Sequence, residues 1–163
     1  MEEEKEISRS EIVFSPLSRD KIQAVMEIER RVYSLPWTEA MFLSELALPE
    51  QSFFFVMEYR GEIIGYAGFR AFMGEAHIMN IALKPGFTRK GLGGKLLDFL
   101  LGEISSRGAG IVYLEVRRSN AAAIGLYERS GFTTASIRPC YYSDNDEDAV
   151  IMIKGLDIYE NKI

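Results

Sequence analysis

The sequence predicts an α/β fold, a mixed, mostly antiparallel central sheet of about seven strands with helices on both faces. Three observations carry this reading. Apolar residues switch repeatedly between alternation and helical spacing along the chain. Arg60-Gly61 is a tight hairpin signal, and an acidic loop near residue 145 joins the last two strands. The resulting order, β-α-α-β-β-β-α-β-α-β-β, combines hairpins with two crossovers, which requires a mixed sheet.

Residues 11–17 read as a short first strand. In residues 19–33, Ile22, Val25, Met26, Ile28, Glu29 and Val32 form a mostly apolar helical stripe. The stretch from Ser34 to Trp37 breaks that helix, and Thr38 opens a second one that ends near Pro49. Two strands, 52–59 and 62–72, flank the Arg60-Gly61 turn. A third, 76–84, is stopped by Pro85-Gly86. The next helix, from about Gly91 to Arg107, buries Leu92, Leu96, Leu97, Leu100, Leu101 and Ile104 and is ended by Gly108 and Gly110. Strand 111–117 leads into a short helix, 120–131, closed by a glycine. Strands 132–142 and 148–156 complete the chain.

Composition narrows the function. At 163 residues, with 47% apolar and 26% charged side chains, the chain suits one domain with a real core. Residues 1–11 hold five acids against Lys5 and Arg9 and read as a loose acidic tail, leaving 12–163 as the single domain. A net charge of −5 without a basic face argues against nucleic-acid binding. Without an apolar run long enough to span a bilayer, no membrane association is expected. One cysteine, Cys140, fits a reducing cytoplasm. One histidine and one cysteine make a zinc site improbable, so no metal is expected.

The stretch Arg89-Lys90-Gly91-Leu92-Gly93-Gly94 places three glycines and two bases before an apolar helix. It is not a P-loop, because Arg89 stands where the first glycine belongs and Leu96 where Ser or Thr belongs. It is not the dinucleotide fingerprint either, because Leu96 follows Gly93 where the third glycine is due. What survives is a strand running into a glycine-rich turn and a helix N-terminus, an arrangement suited to an anion. Downstream, Tyr113-Leu114-Glu115-Val116-Arg117 is a strand carrying one acid. Asn120 is placed to cap the following helix, and Tyr127 lies nearly two turns further along it.

With these residues in view, the chain resembles the GNAT superfamily of N-acetyltransferases, and more narrowly the RimI family of ribosomal-protein-alanine N-acetyltransferases. The resemblance runs from about Ile12 to Ile153 and is most specific at residues 114–132, with support from Leu35-Pro36-Trp37 and from Tyr141-Tyr142 followed by 147–152. Thr88 departs from the Gln or Arg that usually opens the family's turn, leaving Gly91 and Gly93 in place. The resemblance implies the GNAT fold, acetyl-CoA as donor and no metal. Backbone amides of Arg89, Lys90, Gly91, Leu92, Gly93 and Gly94 would wrap the pyrophosphate. Ile81, Ala82 and Leu83 would pair with the pantetheine arm as an added strand edge, and Asn120 would touch the cofactor.

The same resemblance makes Glu115 the general base and Tyr127 the general acid. Taken alone, Glu115 reads as a solvated edge residue and Tyr127 as helix packing. His77 is expected to be structural. The implied partner is a basic protein or peptide N-terminus, starting with alanine, from a small-subunit ribosomal protein in the cytoplasm. Basicity favours that acceptor: an α-amine of pKa ~7.8 is about one-seventh neutral at pH 7, a lysine of pKa ~10.4 only about 0.04%. Alternatives are an enzyme for lysine or small-molecule amines, and a non-catalytic CoA-binding regulatory domain. The loop bearing Asp144, Asp146, Glu147 and Asp148 reads either as a solvated turn or as an attractor for a basic peptide.

Overall fold

The structure, a computed structural model, describes residues 7–157. Its strands are β1 (Ile12–Pro16), β2 (Ser52–Tyr59), β3 (Glu62–Phe72), β4 (Glu75–Leu83), β5 (Ile111–Arg117), β6 (Thr133–Tyr142) and β7 (Glu147–Gly155). The helices are α1 (Ile22–Val32), α2 (Glu39–Leu46), α3 (Leu92–Ser106) and α4 (Ala121–Arg129). The expected elements are therefore present, within a few residues at their ends. One seven-stranded sheet has the order β1-β2-β3-β4-β5-β7-β6, and every pairing is antiparallel except β4 with β5.

Alternation within each strand sends side chains to two separate cores. On one face Phe55, Met57, Ile78, Val112, Leu114 and Met152 meet Leu92, Leu96, Leu97, Leu100 and Ile104 of α3, with Tyr127 of α4. On the other, Phe54, Val56, Tyr66 and Ala82 meet Ile22, Val25, Met26 and Ile28 of α1 and Phe42 of α2. Thr38 caps α2 as its residue type predicts, its Oγ1 accepting from the Met41 amide at 3.3 Å.

The expected acidic tail divides. Residues 1–6 lie outside the described residues. Residues 7–11 are tied down rather than loose: Ile7 packs on the core, Glu11 pairs with Arg60 at 2.9 Å, and Lys95 Nζ donates to the Arg9 carbonyl at 2.5 Å.

Two irregularities position the site. Between β3 and β4 the register shifts so that Gly68 faces Asn80 and Phe69 faces Ile78, leaving Met79 as a bulge. The bulge resets the pleat: Ile78 belongs to the α3 core, whereas Met79 packs in the α1 core and Asn80 reaches Glu29 of α1. The second irregularity lies between β4 and β5, whose pairing covers only Glu75–His77 against Ile111–Tyr113.

Candidate active site

Beyond His77 and Tyr113 the two parallel strands have no paired residues. β4 remains bonded to β3 through Leu83, and β5 to β7 through Arg117. Each thus presents one open edge to the other. Because the Lys84 amide bonds to the Ile64 carbonyl at 2.7 Å, alternation turns the backbone groups of Ala82 toward β3 and those of Ile81 and Leu83 toward the opening. The Ile81 carbonyl already accepts a 2.8 Å hydrogen bond from the Tyr33 hydroxyl.

Two cavities meet at this opening, of about 280 and 370 Å³, and Tyr33, Ile81, Glu115, Tyr127 and Tyr142 line both. Glu115 alternates with Leu114 and Val116, so it stands on the α1 face, while Tyr127 enters from α4 on the other. The gap lets a carboxylate and a phenol from opposite faces of one sheet line the same space.

Glu115 does not stand alone. His77 Nε2 lies 2.5 Å from Glu115 Oε2, and the imidazole stacks on Tyr113 with ring centroids 4.5 Å apart. His77, expected to be structural, is in direct contact with this carboxylate. The parallel register places His77 beside Tyr113, two residues from Glu115 on the same face. Burial, then the nearby Tyr142, pushes the Tyr127 hydroxyl above its ordinary pKa. Burial raises Tyr33 likewise and takes Tyr142 to about 12.

The glycine-rich turn has the expected form. Arg89 and Gly91 adopt left-handed conformations, φ 59° and 73°, and Gly91 is the residue preceding the first turn of α3. The opening amides of that helix have no intrahelical acceptor and carry its positive end. At Gly93 a Cβ would meet Leu126 of α4 at 3.4 Å, an ordinary van der Waals contact, so packing alone does not require glycine there. Asn120 caps α4, its Oδ1 accepting from the Ala123 amide at 3.2 Å, and lines the larger cavity.

Residues 22–132 match the description "Acetyltransferase (GNAT) family". The chain belongs to the GNAT acetyltransferase family. It is 41% identical over 140 residues to the ribosomal protein bS18-alanine N-acetyltransferase of Escherichia coli K12, covering 85% of this chain and 93% of that one. The crystal structure of the E. coli ribosomal-protein-S18-alanine N-acetyltransferase superposes with a TM-score of 0.83 at 37% identity, covering 93% and 98% of the two chains. A paia N-acetyltransferase of Thermoplasma acidophilum, solved in complex with coenzyme A, shares the fold at 20% identity, with a TM-score of 0.75 over 90%-scale coverage of both chains (89% and 99%).

In this GNAT chain the acidic loop is not a free negative surface. Arg117 pairs with Asp144 at 2.8 Å and Glu147 at 3.3 Å, and Arg118 pairs with Asp148 at 3.2 Å. Hydrogen bonds from the Ser119 amide and side chain, ahead of the Arg117 contact, hold Glu147 down at about 2. The Arg117 guanidinium also donates to Ser34 Oγ at 3.2 Å and lies 4.0 Å from the centre of the Tyr142 ring. The loop is thereby pinned to the segment after α1, and the two frame the smaller cavity with Leu35, Trp37, Tyr141 and Tyr142. Two further polar residues line that cavity, Glu29 and Asn80. Among the described residues no helix is long and apolar enough to cross a membrane, and no cluster of metal ligands is present.

Proposed function

We propose that this chain transfers acetyl from acetyl-CoA to the N-terminal α-amine of a protein, with alanine first, by direct attack within a ternary complex. The observation that carries the reading is the opening between β4 and β5, where Glu115 and Tyr127 line both cavities and His77 contacts Glu115 in the smaller one. The relative in E. coli, named for alanine on ribosomal protein bS18, supports that acceptor. The locked acidic loop removes one reason to expect attraction of a basic segment, so selection rests on the first residues and the walls around them. The reaction belongs in the cytoplasm, which the free, exposed Cys140 suits.

The residues present fit the donor. Amides of Arg89 through Gly94 would hold its pyrophosphate at the positive end of α3, with charge from Arg89 and Lys90. Ile81 and Leu83 would offer their outward backbone groups to the pantetheine arm, Ala82 contributing from the same strand. Asn120 would meet the donor from the start of α4 without giving up its cap.

Glu115, supported by His77, accepts the proton from the acceptor amine, directly or through water, and the neutral amine attacks the thioester carbonyl. An outward amide of β4 stabilises the oxyanion. Tyr127 then protonates the sulfur as the C–S bond breaks, and the second proton on the nitrogen passes to the resulting tyrosinate, directly or through water, leaving a neutral amide. Burial keeps this phenol protonated until it is needed, and it also raises the basicity of a thiolate leaving into the same cavity, so the transfer runs between two desolvated groups. The test is incubation with acetyl-CoA and peptides beginning with alanine, read by mass spectrometry of the peptide N-termini. A gain of about 42 Da, one acetyl group in place of one hydrogen, confined to the α-amine is expected. Acetylation confined to internal lysines, or thioester binding without transfer, overturns the assignment.

A further inference from the structure

Glu29 and Asn80 are buried, 1% and 6% exposed, yet both line the smaller cavity together with Glu115. Their hydrogen bonding is incomplete. Glu29 Oε1 accepts from the Trp37 amide at 2.9 Å, while Oε2 has only the Asn80 amide nitrogen at 3.5 Å, the outer limit of a hydrogen bond. No cation pairs with Glu29 among the described residues. Asn80 Oδ1 is buried without any partner. The bulge at Met79 turns Asn80 to the α1 face beside this carboxylate.

A carboxylate and an amide oxygen, buried side by side and short of donors, call for a ligand rich in N–H groups. Around them stand Tyr33, Leu35, Trp37, Tyr141 and Tyr142, which suit a small apolar side chain next to that donor group. We infer that Glu29 and Asn80 form the subsite that receives the α-ammonium of the acceptor peptide and delivers it to Glu115. Glu29 supplies the countercharge, Asn80 Oδ1 takes a second N–H, and the third faces Glu115. This rests on the acceptor being an α-amine and adds the residues that recognise it. It also separates two tasks: recognising the charged amine falls to Glu29 and Asn80, removing its proton to Glu115.

The test compares two peptides, one beginning with alanine and its analogue in which the α-amine is replaced by hydrogen. Both are titrated by calorimetry into the wild-type chain saturated with CoA. Wild type should bind the amine peptide about tenfold more tightly or better, the scale of a charge-assisted contact. Glu29→Gln keeps an acceptor for the Trp37 amide and should reduce that preference to about twofold, leaving the analogue's affinity unchanged. Asn80→Ala should act in the same direction with a smaller effect, providing a second reading independent of the α1 contact. Parallel loss of both peptides, or an undiminished preference in both variants, overturns the subsite. Transfer to the same peptide is followed in parallel: transfer with an unchanged preference removes the subsite alone, and no transfer to any α-amine removes both it and the acceptor assignment.

Discussion

Glu45 and Glu29 are both buried glutamates on the helices that cover one face of the sheet, and they are treated in opposite ways. Glu45 of α2 accepts from the Ser52 hydroxyl at 2.6 Å and from Arg70 Nε at 2.9 Å, with a second Arg70 contact completing a two-pronged pair. Burial works to raise its pKa, but the bonds from Arg70 and Ser52 outweigh it and hold the carboxyl below its ordinary range. Glu29 of α1 has one good bond, a marginal one and no cation among the described residues, so burial dominates and the pKa of its carboxyl is raised. Polar groups that fasten the scaffold have spent their bonding capacity on one another. Glu29 and Asn80, facing the opening, retain unused capacity.

Three measurements break or sharpen that contrast, from the largest effect to the smallest. Glu115→Gln and Tyr127→Phe should each lower kcat by about 10²-fold or more, near 2.7 kcal/mol, while changing Tm little. If Tyr127→Phe keeps full kcat at saturating substrates, the acid lies elsewhere. Glu45→Ala should do the reverse, costing about 2 kcal/mol of stability, the half-exposed Arg70 moderating the loss. That is about 4–8 °C in Tm at neutral pH, with kcat retained. A large fall in kcat would place Glu45 in the chemistry.

The smallest effect lies in the pH dependence of Tm. Glu45, with its folded pKa lowered, contributes stability above its ordinary value of 4.5 that is lost as pH falls through the folded pKa. The Tm deficit of Glu45→Gln should therefore shrink on acidification below that value. Glu29, with its folded pKa raised, loses stability as pH rises from 4.5 through the folded pKa. Glu29→Gln should accordingly gain on wild type between pH 4 and pH 7, by about 1 kcal/mol or less. Thermal melts across that range decide it, and slopes of the same sign for both variants would abolish the distinction.

How much of this was legible in sequence follows from the range of each interaction. Helix stripes, strand alternation and turn residues are local, so all seven strands and four helices were readable, as was the left-handed turn around Gly91. The His77–Glu115 contact depends on the parallel register between two strands joined through α3, which no local pattern encodes. Asn80 was hidden by the bulge, since simple alternation from Ile78 would send it into the α3 core. Glu29 left a trace, a charged residue within the apolar stripe of α1, but nothing nearby said whether it was paired. The loop acids looked free because their partners arrive from elsewhere in the chain, Arg117 at the end of β5 and Arg118 in the turn after it.

The opening between β4 and β5 also bears on solubility. An unpaired strand edge is ordinarily an invitation to aggregation, because any extended chain can dock on it. Here the two free edges face each other inside one sheet, flanked by α1 and α4, and a hydroxyl from Tyr33 already occupies one carbonyl. A second copy of the chain would have to bring a strand between two edges of one sheet that is covered by helices on both faces. The sheet's outer strands are β1 and β6, and in β6 Pro139 and the left-handed Cys140 break the pairing with β7 between Arg138 and Tyr142. The edge hazard is thereby left to the two outer strands, while the inner open edges face each other.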